Sequence, residues 1–225
     1  MININKKEVE RYLGYSGVSS IDETMSKVIE TCIEEMSKNV TPRYTYKTFP
    51  IEWKKSDVES DEDKSEGCSF AGIEVSSGNL LKNLKGCSEI VMLAVTIGPS
   101  ADLLVRRTQI RDMMKAMVYQ AVGAAMVEAW CDEVNEKIVE EAASRGLFPR
   151  PRFSPGYGDF PLEVQQDFER ILEMTKTIGV SLSDSLLMTP TKSVTAVIGL
   201  SDIKTDCIKE GCESCNMSET CAYAR

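Results

Sequence analysis

Histidine is absent from all 225 residues of the chain. That removes the side chain most often used as a general base near neutral pH and the commonest nitrogen ligand for zinc or iron. A Ser-His-Asp triad and an HExxH metal site are excluded. Long apolar runs are also missing: no stretch of about 18 hydrophobic residues occurs, and the opening MININKKEVERYLGYSG has no apolar segment of signal-peptide length. A cytoplasmic protein with no membrane contact is the expectation. Positive charge is in deficit, with 26 Lys plus Arg against 35 Asp plus Glu and a net charge of -9. Nucleic acid is set aside as a partner, because nonspecific affinity for a phosphate backbone needs a basic surface.

What is present suits a globular protein with a sizeable core, 42% hydrophobic and 27% charged. The KEVERYLGYS stretch reads as a short helix ending at Gly14. A second helix follows, capped by Ser20 or Asp22, with Met25, Val28, Ile29, Cys32, Ile33 and Met36 at helical spacing. TPRYTYKTFPIEW alternates and looks like a strand, and the acidic KKSDVESDEDKSEG reads as a solvated loop. SGNLLKNLKGC predicts a short helix and EIVMLAVTIG a buried strand.

One dominant helix is expected from about Arg106 to Ser144. Ile110, Met114, Met117, Ala121, Ala124 and Ala125 trace one face of it, continuing through Glu128 and Cys131 to Ile138. Glu128 is the odd member of this stripe, a carboxylate beside small residues. Its plain reading is a side chain leaning to solvent.

LFPRPRFSPGYGDFP follows, with four prolines that bias the preceding residues to extended backbone. LEVQQDFERILEMTKTIG predicts an amphipathic helix stopped by Gly179, and SVTAVIGL a final strand. This order of elements points to an α+β fold, mixed helices around an antiparallel sheet. Within the proline loop, Arg152 offers a planar fork for a carboxylate or phosphate, Gly156 lets a ligand approach the backbone, and Tyr157 adds a flat face with a polar tip.

Three segments together, AAMVEAW, RFSPGYGDFP and TIGVSLSDSLLMTPTKSVTAVIG, resemble the activation domain of cobalamin-dependent methionine synthase. The loop match is Arg152, Gly156 and Tyr157; the later match is Gly179, Leu182, Met188, Pro190, Ser193 and Val194. Order and spacing agree over roughly residues 105 to 200, and the N-terminal half resembles the smaller free-standing members.

The resemblance implies S-adenosylmethionine as the bound molecule, with its methyl group delivered to the oxidised cobalamin (vitamin B12) of a partner after one-electron reduction. It also implies roles. Arg152 holds the methionyl carboxylate, the backbone of Phe153 and Ser154 meets the adenosine, Gly156 and Tyr157 wall the pocket, and Glu128 faces the ammonium or sulfonium side. The implied partner is a methionine synthase lacking its own activation domain, with a flavodoxin-like reductase as electron source. The missing histidine fits, because the partner would bring the cobalt ligand. The family's paired tyrosines after its SVSG segment are not found here.

Eight cysteines divide unevenly, with Cys32, Cys68, Cys87 and Cys131 scattered and the rest near the C-terminus. Cys207, Cys212, Cys215 and Cys221 form C-x4-C-x2-C-x5-C, a soft four-ligand set suited to a [4Fe-4S] cluster or a zinc ion. The expected organisation is an α+β domain over 1–203, divided into an N-terminal helical and strand region over 1–100 and a ligand-binding core over 101–203. A metal-binding tail over 204–225 completes it. Two other functions remain open at this point: a reductive activator of another corrinoid methyltransferase working through the cysteines, and a ligand-binding protein without chemistry.

Overall fold

The computed structural model describes residues 2–15, 21–54 and 67–204. Helix α1 (Lys6–Tyr12) and helix α2 (Glu23–Asn39) come first. The α2 start is fixed by Asp22, whose carboxylate accepts the Met25 N–H at 2.7 Å. Strand β1 (Arg43–Pro50) follows, then the small antiparallel set β2 (Glu52–Lys54), β3 (Gly67–Phe70) and β4 (Ile73–Val75). The acidic stretch over 55–66 lies outside the described residues. Helix α3 (Gly78–Leu84) leads to strand β5 (Glu89–Thr96).

A helical pair comes next, α4 (Ser100–Gln109) and the long α5 (Met113–Ser144). Here the expected single helix is corrected: it is interrupted at Ile110–Asp112. Asp112 leaves helical geometry and its carboxylate accepts the Lys115 N–H at 2.9 Å, so a side-chain cap starts a new helix where the apolar pattern runs on unbroken.

Strand β6 (Phe148–Pro149) opens the proline loop, which ends in a 3-10 turn and helices α6 (Gln165–Leu172) and α7 (Met174–Thr177). The sequence pattern predicts one helix here. Glu173 divides it in two by adopting φ 51°. The short hairpin β7 (Ser181–Leu182) and β8 (Met188–Thr189) precedes β9 (Ser193–Ser201).

The main sheet has the order β1-β5-β9-β6 with every pairing antiparallel, so the expected α+β class holds. Both faces of β5 are buried, which explains its unbroken apolar sequence. Val91, Leu93 and Val95 face a core shared with α2 and α5 through Ile29, Met36, Val122 and Met126; Ile90, Met92 and Ala94 face a second core with Phe70, Leu80 and Phe168. No helix among the described residues is long and apolar enough to cross a membrane.

α5 is tied to its neighbours by polar groups at several levels. Tyr119 donates to Glu35 of α2, Lys115 pairs with Glu35 at 3.2 Å, and the Tyr46 hydroxyl donates to Glu141 at 2.7 Å. The Tyr119 hydrogen bond and the lysine hold the Glu35 carboxyl below the usual carboxylate range. A depressed folded-state pKa contributes stability above the unfolded value, which is lost as pH falls through the folded one. Asp159 is depressed likewise, chiefly by the Ser77 hydroxyl. The melting temperature is therefore expected to hold at neutral pH and to fall from about pH 4.5 downward; Glu35→Gln should flatten that fall in a calorimetric pH series.

Cys32, Cys68, Cys87 and Cys131 are buried and free. Burial pushes the thiols of Cys32, Cys68 and Cys131 up to about 11, so few are thiolate at neutral pH. In native protein these positions should resist iodoacetamide over an hour at pH 7.5 and react fully in denaturant, as read by peptide mass spectrometry.

Candidate functional site

Phe153 decides how the proline loop meets α5. Its N–H donates to the Val197 carbonyl at 2.9 Å and its carbonyl accepts the Val197 N–H at 2.8 Å, pinning the loop beside β9. Adjacent residues of an extended chain point to opposite faces. Phe153 accordingly enters the core with Phe168, while Arg152 turns to α5.

There Arg152 reaches two carboxylates. Its Nη2 lies 2.9 Å from Asp132 Oδ1 and 3.5 Å from Glu128 Oε2. Glu128 and Asp132 are four residues apart, one helical turn, and share a face of α5. The structure thus brings together Glu128 and Arg152, which the sequence singles out separately. Asp132 escapes sequence reasoning. Its one signal is the i, i+4 spacing from Glu128, which is common in any charged helix.

The acid side chains are well exposed, so each ion pair contributes on the order of 0–1 kcal/mol. The pairs orient the guanidinium without locking it. Nη1 of Arg152 is buried with no hydrogen-bond partner among the described residues, a donor left over for something else. The guanidinium charge lies close enough to Cys131 to oppose the effect of burial on that thiol.

The loop beyond Arg152 closes on itself. Gly156, at φ 85°, donates to the Phe160 carbonyl at 2.8 Å, and Tyr157 donates to the Ser154 carbonyl at 3.1 Å. Tyr157 stands half out of the surface with its ring edge-on to Phe153, centroids 5.5 Å apart. Asp159 fastens the far side to the start of α3: it accepts from the Ser77 hydroxyl, from Gly78 N–H at 2.7 Å and from Asn79 N–H at 3.2 Å.

The Phe153 backbone is engaged with Val197, whereas the Ser154 N–H has no hydrogen-bond partner among the described residues. On its α5 side the site is open to solvent, with the Glu128 and Asp132 side chains 48% and 68% exposed. Two hollows, of 320 Å³ between α2 and the start of α5 and 330 Å³ beside Trp130, are lined by none of these residues.

Residues 80–203 match the family described as the vitamin B12 dependent methionine synthase activation domain. The chain belongs to that family. Among solved structures, the MetH reactivation domain bound to AdoHcy is similar at a TM-score of 0.60, with 16% identity over 89% of this chain and 78% of that one. The activation-domain fold is therefore shared despite little sequence identity. No curated protein matches the chain.

Within this activation-domain fold, Arg152, Glu128 and Asp132 supply one positive and two negative charges. Such a set of charges suits a ligand that carries both an anionic and a cationic group. No group of three or more Cys, Asp or Glu side chains among the described residues converges as a metal site. Cys207, Cys212, Cys215 and Cys221 lie outside the described residues.

Proposed function

We propose that this chain binds S-adenosylmethionine at the Arg152 site and presents its methyl group to the cobalamin of a partner methionine synthase that lacks an activation domain. The observation that carries the reading is the charge balance around Arg152: one guanidinium with a spare buried donor, beside two carboxylates. S-adenosylmethionine has one carboxylate, one ammonium and one sulfonium. Its carboxylate takes Arg152, and its two cationic centres take Glu128 and Asp132 in place of the guanidinium. Ser154 N–H and the faces of Gly156 and Tyr157 flank the adenosine.

Family membership and the AdoHcy bound to the similar MetH domain both support this ligand. The sulfonium already provides the leaving group, so the contribution of these residues is positioning. The partner's cobalamin, reduced by one electron from a flavodoxin-type reductase, would be the methyl acceptor, with S-adenosylhomocysteine as the leaving product; Arg152, Glu128 and Asp132 would hold the donor for that transfer.

The test is anaerobic: this chain, a cobalamin-loaded methionine synthase without an activation domain, a chemical reductant, and S-adenosylmethionine labelled in the methyl group. Label should enter methylcobalamin only when this chain is present. Incorporation at the same rate without it defeats the proposal.

The cysteine motif favours a second role beside this one. Cys207, Cys212, Cys215 and Cys221 bind a [4Fe-4S] cluster or zinc, and with iron the chain becomes a reductive activator in its own right, for this or another corrinoid methyltransferase. Iron, sulfide and zinc analysis of anaerobically purified full-length protein decides it. Metal-free protein rules the role out.

A further inference from the structure

Five large apolar side chains stand exposed within fifteen residues at the α4–α5 corner: Leu103 45%, Ile110 83%, Met113 64%, Met114 46% and Met117 61%. Ile110, Met114 and Met117 fall on the apolar stripe expected along this helix, yet the structure leaves them in solvent. Isolated exposed apolar residues are ordinary, but five within fifteen residues at one helix junction point to a contact surface. Methionine suits such a surface because its unbranched chain repacks against a partner.

The charge of the corner is opposite to that of the chain. Arg106, Arg107 and Arg111 stand exposed and make no ion pair among the described residues, in a protein of net charge -9. The nearby acids are occupied. Asp102 holds the Thr191 N–H at 2.8 Å and Asp112 caps α5. An apolar centre edged with three unpaired guanidinium groups fits a protein surface edged with carboxylates. A second copy joined by a two-fold axis would set arginine against arginine.

The corner also shares a face of α5 with the candidate site. Met113, Met117, Gln120, Ala124 and Glu128 recur every three or four residues and so share one face of α5; all but Ala124 are exposed. Met117 lies about 16 Å from Glu128 along the axis at 1.5 Å per residue. A macromolecule that covers the site reaches the corner. We infer that the α4–α5 corner is the docking surface for the cobalamin-bearing polypeptide, which contributes an apolar patch rimmed by acids. This rests on the function proposed above for who the partner is, and on the corner itself for where it binds.

The experiment titrates full-length protein with a cobalamin-loaded methionine synthase polypeptide of the same organism that lacks an activation domain. Variants are Ile110→Glu/Met117→Glu and Arg107→Glu/Arg111→Glu, with S-adenosylmethionine affinity and melting temperature measured alongside. Both variants should bind the polypeptide at least about tenfold more weakly, which is about 1.4 kcal/mol. Their S-adenosylmethionine affinity should not change, and wild-type docking should weaken with salt.

Undiminished docking by both variants overturns the inference, as does a wild-type chain that does not dock. A dimer of this chain, seen by sedimentation and dissolved by the substitutions while docking persists, reassigns the surface to self-association. Docking lost in the variants of a protein that never binds S-adenosylmethionine leaves this inference standing and removes the methyl-donor reading. Methyl transfer with variant docking intact does the reverse.

Discussion

Arg152→Ala should weaken S-adenosylmethionine binding by at least about thirtyfold, corresponding to about 2 kcal/mol or more for truncating one member of a hydrogen-bonded charge pair. The loss has two sources. The ligand carboxylate forfeits the planar fork, and without the guanidinium the net negative charge of Glu128 and Asp132 repels that carboxylate more strongly. Arg152→Lys keeps the charge but not the bidentate geometry and should fall between the two. Melting temperature should barely move, because the ion pairs being removed are half-exposed and contribute little to folding. Isothermal titration with each protein measures the difference, and an alanine variant that binds as tightly as wild type removes Arg152 from the site. Glu128→Gln/Asp132→Asn gives the complementary result. Those carboxylates are assigned to the cationic centres, so their neutralisation should reduce affinity for S-adenosylmethionine more than for S-adenosylhomocysteine, which lacks the sulfonium charge.

How much of this is legible in the sequence depends on the range over which each feature is determined. Strand β5 is plain because both of its faces are buried, and the start of α2 is plain because Asp22 bonds an amide three residues away. Arg152 and Glu128 stand out through the combination of motifs rather than through either residue alone. Asp132 does not, since nothing local distinguishes a carboxylate that faces a guanidinium from one that faces water. The interruptions at Ile110–Asp112 and Glu173 are hidden because an apolar period of 3.6 reports burial and says nothing of a single residue that leaves helical geometry. The same pattern conceals the exposed methionines, because periodicity shows which residues share a face and leaves open whether anything covers it. The engagement of Phe153 with Val197 is a pairing across 44 positions, which only the folded sheet specifies.

That pairing makes the second core matter for the site, and Phe168→Ala tests the dependence. Phe168 is fully buried on α6, in the cluster that also holds Phe153, Ile90, Met92 and Val197. Replacing a core phenylalanine by alanine removes its transfer free energy and leaves a cavity, together about 3–5 kcal/mol. For a chain of this size each kcal/mol lowers the melting temperature by about 2–4 °C, so a drop of about 6–20 °C is expected. The affinity for S-adenosylmethionine at low temperature is the more informative readout. If the Phe153 ring holds the loop by packing in this core, the cavity loosens the backbone that aims Arg152, and binding should weaken several-fold in protein that is still folded by circular dichroism. An undiminished affinity in the folded variant would show that the two hydrogen bonds between Phe153 and Val197 fix the loop without help from the ring.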